Sequence, residues 1–113
     1  MIEDIIIAYL AGAQSLPVYA EVPVDPPTEY IVIQRTGGAE ENLIREATVA
    51  LQTVTRTSRY RAAQLAESVR TLMLAITSRP EIFHSSVNAG PYDFTDPSTK
   101  EYRYQTVYTL YYT

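Results

Sequence analysis

Apolar positions at the start of the chain recur at helical spacing: Ile2, Ile5, Ile6, Tyr9, Leu10 and Ala13. Glu3 and Asp4 fall in the first turn, where carboxylates oppose the positive end of the helix dipole. The spacing predicts one short amphipathic helix ending between Gly12 and Ser15. Val18-Tyr19-Ala20-Glu21-Val22 then alternates and is closed by Pro23, while Asp25-Pro26-Pro27 is too rich in proline to continue a ladder. That reads as a short strand followed by an extended turn. Glu29 to Thr36 is β-branched and stops at Gly37-Gly38, and a period of two returns from Ala47 to Thr55. Residues 37–42 therefore join two long antiparallel arms, a hairpin expected to project past the body of so small a domain and to need a partner.

From Ser58, which suits an N-cap, Ala62, Leu65, Ala66, Val69, Leu72, Met73 and Ile76 repeat at helical spacing as far as Pro80. The small Ala62, Ala63 and Ala66 allow close approach to a sheet. Glu81 to Val87 predicts a strand, broken by Asn88-Ala89-Gly90-Pro91, with Tyr92 to Ser98 either its continuation or a loop. The last segment, Lys100 to Tyr112, sets Tyr102, Tyr104, Thr106, Tyr108, Leu110 and Tyr112 on one face and Arg103, Gln105, Val107, Thr109 and Tyr111 on the other. The order α-β-β-β-α-β-β is best satisfied by an α+β fold: a mixed, mainly antiparallel sheet of about five strands, with both helices on one face. The 113 residues suffice for one domain, 1–113, with a single shallow core.

Composition narrows the chemistry. With no Cys there are no disulfides, thiolate nucleophiles or cysteine-based zinc sites. Two acids near the start and no apolar run approaching ~18 residues predict a soluble chain without a secretory signal or membrane span. Nine Lys plus Arg against thirteen Asp plus Glu give a net charge of −4, which argues against broad nucleic-acid binding. The single Lys is Lys100, so the eight Arg carry almost all the positive charge.

His84 is the sole imidazole, and a general base beside Ser85 or Ser86 is weighed against an ordinary strand residue, which is the expected reading. Asp93 and Asp96 around Thr95 lack the glycine and distal Glu of an EF-hand loop, and turn geometry accounts for them equally well. Gly37-Gly38 followed by Glu40-Glu41 is the reverse of a phosphate cradle. No catalytic residue, cofactor or metal ligand is assigned. The ten Tyr favour contact surfaces or strand packing, and core packing is the expectation for the tyrosine ladder of the last strand, against a base-stacking platform. The sharpest local anomaly is Arg56, Arg59 and Arg61 crowding a helix start, where the dipole disfavours cations. If they have a role, acids should face them, and Glu40, Glu41, Asn42 and Glu46 on the hairpin supply such a surface. A head-to-tail contact between copies would pair the two and can close into a ring.

Several stretches taken together resemble the small tail-completion or tail-terminator proteins of long-tailed bacteriophages and prophages. They are Val18-Tyr19-Ala20-Glu21-Val22-Pro23, Pro26-Pro27 before Tyr30-Ile31-Val32-Ile33, Thr36-Gly37-Gly38, Glu41-Asn42, Tyr92-Asp93-Phe94-Thr95-Asp96 and Lys100-Glu101-Tyr102-Arg103-Tyr104-Gln105. The resemblance implies a virion structural protein without catalysis, found at the tail-head junction and in the host cytoplasm during assembly. It implies a homo-oligomeric, hexameric ring, monomeric before assembly in some cases, on the head-proximal end of the tail tube. Its partners would be the tube protein and the head-closure protein, with DNA passing through the lumen without specific binding. A head-closure or other neck connector is the nearest alternative. From other classes, the alternatives are a sheet protein binding single-stranded nucleic acid through its Tyr face, and a small hydrolase or metal-dependent enzyme using His84, Asp93 and Asp96.

Overall fold

The computed structural model describes residues 2–41, 44–95 and 97–113, without the side chain of Glu41. Among these residues the order is helix α1 (Ile2–Ala13), strands β1 (Val18–Tyr19), β2 (Glu29–Glu41) and β3 (Ile44–Thr55), helix α2 (Arg59–Leu74), and strands β4 (Ile82–Asp93) and β5 (Tyr102–Tyr112). A short 3-10 turn, Ile76–Ser78, follows α2. The strands form one sheet in the order β1-β2-β3-β5-β4. β1 runs parallel to β2, and the other neighbours are antiparallel. This is the α+β architecture that the alternation of periods predicts.

Both helices lie on the same face. Ile2, Ile6 and Leu10 of α1 and Val69 and Met73 of α2 pack in one core with Ile31, Ile33, Ala47, Val49, Leu51, Ile82, Tyr108, Leu110 and Tyr112 of the sheet. The helices are tied by the Tyr9 hydroxyl, which donates to the Leu72 carbonyl at 2.8 Å. α1 ends where Gln14 folds back: its Nε2 donates to the carbonyls of Leu10 and Leu16, and its Oε1 accepts from the Leu16 amide. Ser58 caps α2, its Oγ accepting the Arg61 amide at 3.0 Å from an extended backbone. Buried Ala62 and Ala66 let α2 sit close to the sheet, and the Thr53 hydroxyl donates to the Ala62 carbonyl at 3.1 Å.

Three expectations need correction. β1 pairs only through Val18 and Tyr19, not to Val22; the chain bends at Ala20 toward Pro23, which has no N–H to offer a ladder. β4 does not stop at Asn88. It continues through the cis Gly90-Pro91 bond to Asp93, with register irregularities between Ile82 and His84, Val87 and Ala89, and Ala89 and Tyr92. Gly90 has φ +90, and a Cβ there would meet the Gln105 carbonyl oxygen at 2.6 Å, so this bulged edge position requires glycine. The β2–β3 hairpin is long, yet it does not leave the sheet, because β5 accompanies β3 from Thr55 opposite Tyr102 to Arg45 opposite Tyr112. What stands free is the outer side of β2 beyond Val32, and residues 34–40 are exposed.

Candidate functional site

The strands give the molecule two chemically different ends, along a body measuring 45 × 25 × 24 Å. At the hairpin end, Arg35, Gly38, Ala39, Glu40, Arg45 and Tyr112 line a shallow polar depression of about 310 Å³. Arg45 Nε stands 3.8 Å from Glu40 Oε1, with both side chains more than half exposed, a loose contact worth little. Glu46 lies on the far face of the sheet, opposite Ala39 on β2 and Tyr111 on β5. The side chain of Glu41 and the whole of Asn42 fall outside the described residues.

At the other end sits the arginine cluster. Arg61 grips Glu29 with two hydrogen bonds, Nε to Oε2 at 3.0 Å and Nη2 to Oε1 at 3.2 Å, while Thr55 donates to the same Oε2 at 2.8 Å. The Arg61 hydrogen bond is the main reason the Glu29 carboxyl is held below its usual range, against the opposing effect of burial. Arg59 Nε lies 2.7 Å from Asp93 Oδ2, and its guanidinium carbon is 5.9 Å from the centre of the Tyr102 ring. Hydrogen bonds from Thr95 chiefly lower the Asp93 pKa, with a smaller share from Arg59. Arg56 is exposed. The crowding of cations at this helix start therefore has an internal cause: two of the three arginines answer carboxylates of their own chain, Glu29 and Asp93, which were not among the predicted partners. The hairpin register could have supplied the first of these, since Glu29 faces Thr55, three residues before the cap.

The sequence-predicted acids and arginines are thus not brought together within one chain; they occupy opposite ends of the sheet. The enzyme constellation is not assembled either. His84 faces the helix-free side with its ring 5.5 Å from Tyr111, Ser85 points to the opposite face, and Asp93 is at the far end of β4. Asp96 lies outside the described residues. Among the described residues no group of three or more His, Asp or Glu is placed to hold a metal ion, and no helix is long and apolar enough to cross a membrane. Of the tyrosine ladder, Tyr108 and Tyr112 are buried under the helices and present no stacking surface.

The face without helices holds what the sequence did not disclose. Near its β1 edge Tyr30, Val32 and Val54 form a small second core, with Tyr19 packed edge-on to Tyr30 at 6.0 Å. A polar chain crosses the sheet beside it. The Tyr30 hydroxyl donates to Glu101 Oε2 at 3.1 Å, Arg103 Nη2 lies 3.5 Å from Glu101 Oε1, and Arg103 Nη1 donates to Gln52 Oε1 at 3.0 Å. Gln52 Nε2 then donates to Gln105 Oε1 at 2.9 Å, and Gln105 Nε2 to the Tyr92 hydroxyl at 2.5 Å. Burial, then the Glu101 hydrogen bond, raises the Tyr30 pKa. Where the chain leaves β1, Ala20 and Val22 wall a groove of about 300 Å³ floored by Val32 and Ala50, with Glu21 and Gln34 on its rim.

No protein-family model matches the chain, and no curated protein sequence matches it. Chemically the surfaces offer extended main-chain edges, an open sheet face whose Arg103 is engaged internally, and two charged ends, all of which suit contact between proteins.

Proposed function

We propose that this chain is a virion structural protein of a long-tailed phage or prophage, which closes as a ring on the head-proximal end of the tail tube and joins tail to head without catalysis. The observation that supports this most is the excess of open sheet in a small domain. β4 ends the sheet on one side, β2 is uncovered beyond Val32 on the other, and one whole face carries no helix. Unpaired strand edges are templates for association, and a head-to-tail contact between different edges closes into a ring when the rotation permits. On this reading the hairpin end, with Glu40, Glu41, Asn42 and Glu46, and the end bearing Arg56, Arg59 and Arg61 are the candidate contact surfaces toward copies of the chain and toward the tube and head-closure proteins. The net charge of −4 gives passing DNA little to adhere to.

The test is electron microscopy of the purified chain, alone and mixed with tail tubes of the phage that encodes it. Rings seated on one end of the tubes are expected. Bare tube ends, with the chain monomeric at every concentration, would refute the proposal, and so would tails of normal length in phage lacking the chain. Binding to the head-side connector instead of the tube moves the protein one position up the neck.

A further inference from the structure

We infer that the free outer edge of β2 docks the same edge of a second copy, the two strands running antiparallel about a two-fold axis at Gly38. The spacing along this edge is set by β3. Arg35, Gly38 and Glu40 stand opposite Val49, Ala47 and Arg45, every second residue of β3, because the bulge between Arg35 and Gly37 absorbs the extra residue of β2. Gly38 therefore lies midway between Arg35 and Glu40 along the edge, although the sequence spacing is unequal. The same three residues turn their main-chain groups outward. The Ile31 amide donates away from β3, to the Pro17 carbonyl at 2.9 Å, and Ile31 faces Thr53, which alternates in phase with Val49, Ala47 and Arg45. β1 ends opposite Val32, and residues 35–40 are exposed.

This strip is complementary to itself. A second strand turned about Gly38 sets its own Gly38 opposite the first, its Glu40 opposite Arg35 and its Arg35 opposite Glu40, and each facing pair exchanges two N–H···O bonds. Facing residues share a side of the sheet, here the side that buries Ala47 and Val49, so each guanidinium arrives beside a carboxylate. Both charges are available for this. Arg35 Nε donates to the Gly37 carbonyl at 3.2 Å, and its guanidinium lies over Gly38, where a Cβ would collide with it, without a carboxylate among the described residues. Glu40 has Arg45 at 3.8 Å on its β3 side, a loose contact, and its other side is the open edge. A basic residue at one end of the strip and an acidic one at the other are what an antiparallel copy requires. The β4 edge offers no such strip, being broken by register irregularities and by Pro91, which has no N–H. The contact closes on two copies. It does not rest on the ring reading, and a ring contact made through the outer side of β2 has to displace it.

Sedimentation of the purified chain without tubes measures the pair, and exchanging the charges tests its register. Arg35→Glu sets carboxylate against carboxylate in both facing pairs, and Glu40→Arg sets guanidinium against guanidinium. Each variant alone should raise the dimer dissociation constant by about tenfold or more, in a salt-sensitive way. Mixed in equal amounts, the two variants regain both opposite-charge pairs and should form a heterodimer of near-parental affinity. Hydrogen exchange supplies a readout independent of charge: the Arg35, Gly38 and Glu40 amides should slow as concentration rises, while the Ala39 amide, turned toward β3, should not change. A parental dimer in either single variant, a mixture without heterodimer, or a chain that stays monomeric at low salt up to its highest soluble concentration would overturn this contact. Rings on tube ends alongside any of those results leave the ring reading standing, whereas bare tube ends alongside an intact, charge-swappable dimer remove the ring and leave the pair.

Discussion

Arg103 is the residue whose replacement best separates internal structure from ligand contact. It sits on the helix-free face, where a nucleic-acid-binding sheet would use a cation, but its side chain is only 18% exposed and that of Glu101 14%. Arg103→Met keeps the aliphatic stem and removes the hydrogen bond to Gln52 and the 3.5 Å contact to Glu101, while the Tyr30 hydroxyl stays on that carboxylate. A hydrogen bond from a charged group contributes about 1.5–3 kcal/mol, and stripping the partner from a fully buried pair costs about 3–5 kcal/mol. Two features pull the expected loss to the low end, about 2 kcal/mol: the pair retains some solvent, and Arg103 Nε is buried without a hydrogen-bond partner among the described residues, a cost that methionine abolishes.

Urea unfolding, at concentrations where sedimentation shows monomer, measures this directly. Glu101→Gln, which still accepts from Tyr30, should cost about 1 kcal/mol, and the double variant should show a coupling of about 1 kcal/mol. Additivity within about 0.3 kcal/mol, or an Arg103→Met chain as stable as the parent, would refute the reasoning. The guanidinium would then be free to contact phosphate, and steeply salt-dependent binding of single-stranded nucleic acid would become the reading to test.

Glu29 titrates below its ordinary value of 4.5 in the folded chain, so its contribution is complete above that pH and is lost as pH falls through the folded value. Glu29→Gln should therefore lower stability at neutral pH and flatten the acid limb of the stability curve; an equally steep limb in both chains contradicts this. The Tyr108 hydroxyl is buried without a partner among the described residues, and burial pushes its pKa up to about 12 from 10.0. The stability carried by its neutral form should be present below pH 10.0 and lost toward 12, and Tyr108→Phe should be at least as stable as the parent while abolishing the last-titrating absorbance step. Glu40→Lys with Glu41→Lys should change monomer stability by no more than about 0.5 kcal/mol while weakening assembly in a salt-sensitive way. Unchanged sedimentation and tube binding across salt would clear the hairpin acids of a contact role.

What the chain discloses in its sequence follows how local each signal is. Ser58 is legible as a cap because its partner is only three residues away, and the stripe from Ala62 to Met73 needs no knowledge of the sheet. The alternation from Ala47 to Thr55 likewise assigns faces before any pairing is known. β4 misleads because Gly90-Pro91 carries strong turn chemistry, yet on an edge strand it is absorbed by bulges, and only the pairing with Gln105 shows the strand continuing. The partners of Arg59 and Arg61 are hidden for a related reason: Asp93 and Glu29 are distant in sequence and reach the helix start only once the strand order is set. The groove beside Val22 is illegible in sequence, since Val32, Ala50 and Gln52 line it together only once β1, β2 and β3 are set side by side.

That strand order also decides how the charged ends can be used. Within one chain the hairpin acids and the arginines stand at opposite ends of the sheet, so they cannot neutralise one another there. Contact between Glu40 or Glu46 and Arg56 then requires the hairpin end of one molecule to meet the arginine end of another. Arg59 and Arg61 are already partly committed to Asp93 and Glu29, so Arg56, exposed at that end, is the cation best placed for such a contact. Reversal of Glu40 and Glu41 and neutralisation of Arg56 consequently probe one contact from its two sides: on the ring reading both should weaken assembly in the same salt-sensitive way, and a loss seen with only one of them would show that the two ends meet different partners.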